Sequence, residues 1–258
     1  MYCMREYVLR LEYEVGVHPV MDVCIEHPEM VAKSLDISAS PEGGWRIVRL
    51  SGPAEALDAL EEVYLNPDIC NDCTFPHPAC DAEFEYQVLE SDPTARVIYK
   101  YVSDLSYCHS VTFLALSHFG TGLVFDAEQR GAVYRYRILA PNDTDMRGFG
   151  DLLDEELPDG VSVDVERIGD PDQWRRQESS VTELPFEQRQ ALETAFQMGY
   201  YETPRQSVLD EISTELDLPL STLRYRLRRA EAWALERLFA TSGLMDDGEM
   251  QPSIVANR

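Results

Sequence analysis

The sequence predicts an α+β protein, in which a duplicated ferredoxin-like region of βαββαβ type precedes an all-helical C-terminal segment. Three observations carry this. Residues 1–170 alternate between stretches of period-two hydrophobicity and stretches of helical period, and the alternation runs through twice. DPDQWRRQESSV, from Asp170 to Val181, is polar with no period and reads as a linker over 171–181. Beyond it the hydrophobic spacing is purely helical.

The first pass opens with YVLRLEYEV, Tyr7 to Val15, whose alternation predicts a strand, and HPVMDVCIEHPEM after it predicts a helix. A short strand near Ser34–Ser38, the turn SPEGG, the strand WRIVRLSG and the helix PAEALDALEEVYL follow. The last strand of this pass is displaced by a cysteine-rich segment. A second pass begins after Cys80: FEYQVLE and ARVIYKYVS are strands, and SVTFLALSHFG is a helix. GLVFDAEQRG and AVYRYRILAP make a hairpin, DTDMRGFGDLLDEEL a helix, and PDGVSVDVERIG a closing strand. The residues themselves do not repeat, and a plan this widespread implies no function.

Composition narrows the class. The 258 residues carry 47 acidic and 22 basic side chains, a net charge of -25, and Lys33 and Lys100 are the only lysines. Such a surface repels nucleic acid, so any nucleic-acid function needs a local basic patch. The charge itself fits adaptation to high intracellular salt, as in a haloarchaeal cytoplasm, where screening weakens self-repulsion. No apolar run approaches the roughly 20 residues needed to span a bilayer, and the N-terminus lacks a signal-peptide core. A cytoplasmic location is expected, where clustered thiols point to metal or redox chemistry before disulfides.

The basic patch lies in the helical segment, assigned to residues 182–242 ahead of a flexible tail at 243–258. Apolar residues Ala191, Leu192, Ala195 and Phe196 mark one helix, stopped by Gly199. Ser207 is placed as the N-cap of VLDEISTEL. After DLP, the helix LSTLRYRLRRAEAWALERLF has Leu220, Leu223, Leu227 and Ala230 on one face. Between Pro219 and Ala230 there are four arginines and no acid. This is a helix-turn-helix pattern, competing with an ordinary amphipathic helix whose arginines are merely solvated. As a recognition helix it would turn Ser221, Thr222, Arg224 and Tyr225 to base edges, with Arg226, Arg228 and Arg229 on phosphates.

LPFEQRQALETAF, the junction GYYETPRQS, DEIS, STLRYRLRRAE and ALERLF, in this order, resemble the Bat-type helix-turn-helix of haloarchaeal regulators. The resemblance covers about the last quarter of the chain and implies binding to double-stranded DNA. One departure is the turn, Asp217-Leu218-Pro219, where the family has a Gly-hydrophobic-Ser turn.

The second concentration of chemistry is CNDCTFPHPAC, Cys70 to Cys80. Cys70, Cys73, His77 and Cys80 have the spacing C-x2-C-x3-H-x2-C, in which the first pair can share one metal. Three readings stand. Cys70, Cys73 and Cys80 hold an iron–sulfur cluster with Cys24 as the fourth ligand, Cys108 and Cys3 being alternatives; His77 completes a structural zinc site; or the thiols switch through a disulfide. A subset of Bat-type regulators of anaerobic respiration is similar in having a lone upstream cysteine, a C-x2-C pair and a third cysteine nearby. That resemblance implies Cys24, Cys70, Cys73 and Cys80 as ligands, a cluster of the 4Fe-4S type, and denitrification or dimethyl sulfoxide reductase genes as targets.

No phosphate loop, dinucleotide fingerprint, nucleophile elbow or zinc-protease motif is present, and the remaining histidines are scattered. The sequence thus predicts a non-enzymatic, homodimeric DNA-binding regulator with a redox-sensing N-terminal domain. A regulator with structural zinc and a small-ligand sensor is the alternative, and a redox protein or enzyme the second.

Overall fold

The alternating segments of the first 170 residues become strands and helices in the predicted order. The computed structural model describes residues 4–66, 68–71, 73–75, 82–103, 109–141, 145–171 and 183–241, with side chains as far as 237. β1 (Met4–Tyr13), α1 (Pro19–Glu26), β2 (Val31–Ser40), β3 (Gly43–Ser51), α2 (Ala54–Tyr64) and β4 (Glu83–Asp92) form one βαββαβ repeat. β5 (Ala95–Ser103), α3 (Val111–Phe119), β6 (Val124–Arg130), β7 (Val133–Pro141), α4 (Met146–Glu156) and β8 (Val161–Gly169) form the second.

The repeats do not make two separate sheets. All these strands join one antiparallel sheet in the order β4-β5-β3-β2-β6-β7-β1-β8. In a lone ferredoxin-like unit the first strand lies between the third and the fourth. Here β5 holds that place in the first repeat and β1 holds it in the second, so the two first strands are exchanged. The cause is local. β4 and β5 are joined by Pro93-Thr94, and the Asp92 carboxylate accepts from the Thr94 backbone N–H at 3.0 Å. A turn this tight makes β5 the antiparallel neighbour of β4, which leaves β1 to fill the place β5 vacates beside β7 and β8.

Each half has its own core. Val20, Cys24, Leu57 and Leu60 of α1 and α2 pack on Val48, Leu50 and Ile98. Leu114, Phe149 and Leu153 of α3 and α4 pack on Leu9, Leu11, Phe125 and Ile138. The halves meet at the β2–β6 seam, where Lys33 Nζ lies 2.8 Å from Asp126. β1 is also locked by charge. Glu6 is fully buried and receives Arg137 of β7 at 2.5 and 2.7 Å, and Arg167 of β8 also bonds it.

The chain divides into two compact units, Met1–Phe186 and Glu187–Arg258. In the second, α5 (Phe186–Gln197), α6 (Leu209–Glu215) and α7 (Leu220–Thr241) enclose Ala191, Ala195, Ile212, Leu223 and Leu227. Gly199 ends α5 in the left-handed region at φ +71°, as predicted from its position. The N-cap of α6 is Val208 rather than Ser207, because the Glu211 carboxylate accepts from the Val208 N–H at 2.9 Å. The α6–α7 turn forms with Asp217 at φ +48°, the Leu218 N–H donating to the Ser213 carbonyl at 3.0 Å. Asp, unlike most residues, tolerates this conformation through its short polar side chain.

Two stability predictions follow from these contacts. Glu6→Gln leaves two arginines facing a neutral group and lowers unfolding free energy by roughly 3 kcal/mol, measured by chemical denaturation in molar salt. Asp217→Val, β-branched in the left-handed region, lowers the stability of the helical unit by about 1–2 kcal/mol, whereas Asp217→Gly does not lower it.

Candidate functional site

The amphipathic spacing of α7 sorts its side chains by face. Leu223, Leu227 and Ala230 are buried against α5 and α6. Ser221, Arg224, Tyr225, Arg228 and Arg229 are exposed, Tyr225 to 65%, and Thr222 is half-buried beside them. Arg226 is also half-buried and sits on the flank of this face. The stretch from Ser221 to Arg229 is about 12 Å long at 1.5 Å per residue, comparable to the width of a major groove. None of Arg224, Arg226, Arg228 and Arg229 forms an ion pair with an acid among the described residues. Their charge is therefore directed outward, and the surface offers cations and hydroxyls together.

Cys70 and Cys73 come together as the C-x2-C spacing predicts, both buried against Val102, Phe84 and Phe113. Their loop is fastened on several sides. The Asn71 side-chain N–H donates to the Tyr64 carbonyl at the end of α2, at 2.5 Å. The Asn71 backbone N–H donates to the Tyr86 hydroxyl of β4, which in turn donates to the Ile69 carbonyl. Thr74 donates both its backbone N–H and its hydroxyl to the His109 carbonyl, just ahead of α3, at 3.2 and 3.0 Å. His109 Nε2 reaches Glu156 at the end of α4, at 3.3 Å. The loop therefore bonds elements of both repeats.

Buried polar groups lie in the same unit, two of them beside the thiols. His18 caps α1, its Nδ1 accepting from the Val20 N–H at 3.1 Å. Burial holds its imidazole below the usual value, opposed by the Cys70 carbonyl, while the Lys100 charge lowers it further. Lys100 is fully buried, its ammonium 5.3 Å from the Tyr86 ring centre. Arg46 donates to the hydroxyls of Tyr134 at 2.5 Å and Tyr64 at 3.3 Å. Burial raises the Tyr13 phenol, with Tyr134 and Cys73 adding to the effect. Lys100 was detectable in principle, because it shares the inward parity of Ile98 and Val102 in ARVIYKYVS.

Cys24 is placed elsewhere. It belongs to the core between α1 and α2, where the Gln129 side-chain N–H donates to its sulfur at 3.0 Å. Burial pushes its thiol up to about 12, which keeps it protonated. Cys3, His77, Cys80 and Cys108 lie outside the described residues. Among the described residues no three His, Cys, Asp or Glu side chains gather as a metal site would need. Cys70 and Cys73 share one buried cluster, and Cys24 lies in another.

No helix among the described residues is long and apolar enough to cross a membrane. A family model described as HTH DNA binding domain matches residues 186–234, the segment that contains α5, α6 and most of α7. Another, described as HVO_2928_N, N-terminal, matches residues 6–174, well over half of the chain. The chain is also similar to the transcriptional regulator NarO of Haloferax volcanii, at 33% identity over 98 residues. That alignment covers 36% of this chain and 46% of NarO, so the matched part is about half the length of the relative. The chain thus belongs to the HVO_2928_N family through its strand-exchanged sheet unit and carries the helix-turn-helix DNA-binding domain of a transcription regulator at its C-terminal end.

Proposed function

We propose that the protein is a sequence-specific transcription regulator in which the loop holding Cys70 and Cys73 senses oxygen or redox state and α7 reads the promoter. The observation that carries this reading is the unpaired cationic face of α7 in a chain of net charge -25. Exposed acids elsewhere repel DNA, so binding centres on α7, through Ser221, Thr222, Arg224, Tyr225, Arg226, Arg228 and Arg229. A pair of half-sites one helical turn apart would need two copies of α7, and the working form is accordingly a homodimer.

The sensing half of the proposal rests on the cysteine loop. Cys70, Cys73 and Cys80 would hold an iron–sulfur cluster, which supplies a group that oxygen can oxidise and dismantle. The protein's own part is clearer: Asn71, Thr74 and Tyr86 hold the loop to α2, β4 and the segment before α3. A change in the loop would thereby alter bonds to both repeats at once, the kind of local event that biases a two-state element. Target genes of anaerobic respiration follow from the resemblance to the cysteine-motif subset of Bat-type regulators.

A second reading has a specific observation behind it. Cys24 lies in a different core from Cys70 and Cys73, which favours a fourth ligand from elsewhere, and His77 of the same loop would complete a structural zinc site. The domain would then sense a small ligand instead.

Two measurements test these proposals. Arg228→Ala and Arg229→Ala in the full chain each weaken binding to any duplex, whereas Ser221→Ala and Tyr225→Ala shift which sequences are enriched from a random pool. A basic-face variant that binds as tightly as the parent across a salt titration would sink the assignment of α7, since each lost phosphate contact lowers the salt slope by about 1. Protein prepared without air should contain iron and sulfide and lose its colour on exposure, with Cys73→Ala colourless from the start. Zinc at one ion per chain, unaffected by Cys24→Ala, would replace the cluster with the structural site, and the absence of any metal would end both.

A further inference from the structure

We propose that the loop between α5 and α6, Tyr200 to Gln206, is a second DNA contact in which Arg205 grips a backbone phosphate beside the groove entered by α7. The inference rests on the reading of α7 as the recognition helix and adds a contact outside that helix.

The loop is rigid for reasons visible in its bonds. The Gly199 carbonyl accepts from the backbone N–H groups of both Glu202 at 3.2 Å and Gln206 at 3.1 Å, closing the loop at its neck. Gly199 itself is left-handed at φ +71°, and a Cβ there would meet the Gln206 side chain at 2.8 Å. Only glycine allows so close a neck. The Gln206 side-chain N–H also donates to the Pro204 carbonyl at 3.1 Å. Residues 201–206 are exposed although the loop is closed.

Two aromatic contacts aim it. The Arg205 guanidinium lies 4.6 Å from the centre of the Tyr200 ring, and Tyr201 meets Tyr200 edge-on at 5.1 Å. The Tyr201 hydroxyl donates to the Glu231 carboxylate of α7 at 2.6 Å. Burial, reinforced by this bond, raises the Tyr201 phenol, so it stays a donor. Glu231 is one turn beyond Arg228, about 4.5 Å along the axis, so the loop is tied alongside the cationic stretch of the helix. The tie also engages the first acid after that stretch.

Charge pairing separates Arg205 from the structural arginines. Arg10, Arg96, Arg135, Arg137 and Arg167 each meet a carboxylate within 4.0 Å. Arg205 forms no ion pair among the described residues, in common with Arg224, Arg226, Arg228 and Arg229. A guanidinium that forms no ion pair among the described residues and lies over an aromatic ring is pre-organised for an external anion. The anion nearest to a recognition helix seated in DNA is a phosphate at the edge of its groove.

The test uses the full chain, in fluorescence anisotropy over a salt titration. The two probes are a random-sequence duplex of about 30 base pairs and the duplex that the unaltered protein enriches from a random pool. Arg205→Ala is expected to weaken binding to both probes by the same factor, roughly tenfold, and to lower the slope of log affinity against log salt by about 1. Arg205→Lys should keep the slope while losing part of the affinity, because an ammonium does not stack as a guanidinium does. A loss confined to the enriched duplex would overturn the proposal, since it would mean base reading. Unchanged binding by Arg205→Ala, with Arg228→Ala weakened, would overturn it and leave α7 intact as the recognition helix. Unchanged binding by both variants would overturn this proposal together with the assignment of α7.

Discussion

A two-residue turn governs the architecture of the N-terminal unit. With Pro93-Thr94 alone between β4 and β5, and Asp92 bonded back to the Thr94 N–H, β5 has no place but the one beside β4. That place belongs to the first strand of a ferredoxin-like unit, so β1 is displaced into the second repeat. Everything larger follows from this displacement. The two repeats share one sheet, neither has its full set of strands alone, and the N-terminal strand is held in the C-terminal half. The buried Glu6 between Arg137 and Arg167 makes the displacement specific, because a carboxylate and a guanidinium taken from water must find one another or cost several kcal/mol.

The same exchange explains the setting of the cysteine loop. It occupies the long connection between α2 and β4, whereas the equivalent connection between α4 and β8 is a short turn. One half therefore carries an insertion that the other lacks. The loop fills its site by bonding the end of α2, the strand β4 and the start of the second repeat's α3 region. Its thiols consequently lie near His18, just ahead of α1, and Tyr13, at the end of β1.

Electrostatics divides the two units by role. In the sheet unit, Arg135 and Arg137 meet carboxylates of neighbouring strands and Arg96 those of α2, so their charge holds elements together. In the helical unit, Arg224, Arg228 and Arg229 face outward with no such partner among the described residues. A strongly acidic chain can bind a polyanion only if its few cations are segregated in this way. Net charge alone predicts repulsion; the distribution reverses the prediction over one helix face.

The order of elements, the stop at Gly199 and the faces of α7 were legible in the sequence, whereas FEYQVLE, read as opening the second pass, is β4 and closes the first repeat. The legible features each depend on spacing along the chain, which a periodic pattern reports directly. The sequence also showed that Cys70 and Cys73 would adjoin, since a C-x2-C turn is local. Only the tertiary structure decided which strands pair, because period-two alternation specifies a face and not a neighbour. The same limit applies to the site: Cys24 looked available from its place in a helix, yet that helix turns it into the α1–α2 core. His18 was one of several scattered histidines in the sequence for the complementary reason, as it reaches Cys70 from a position distant along the chain. Local spacing is written in the chain, and long-range juxtaposition arises only when the exchanged strands close the sheet.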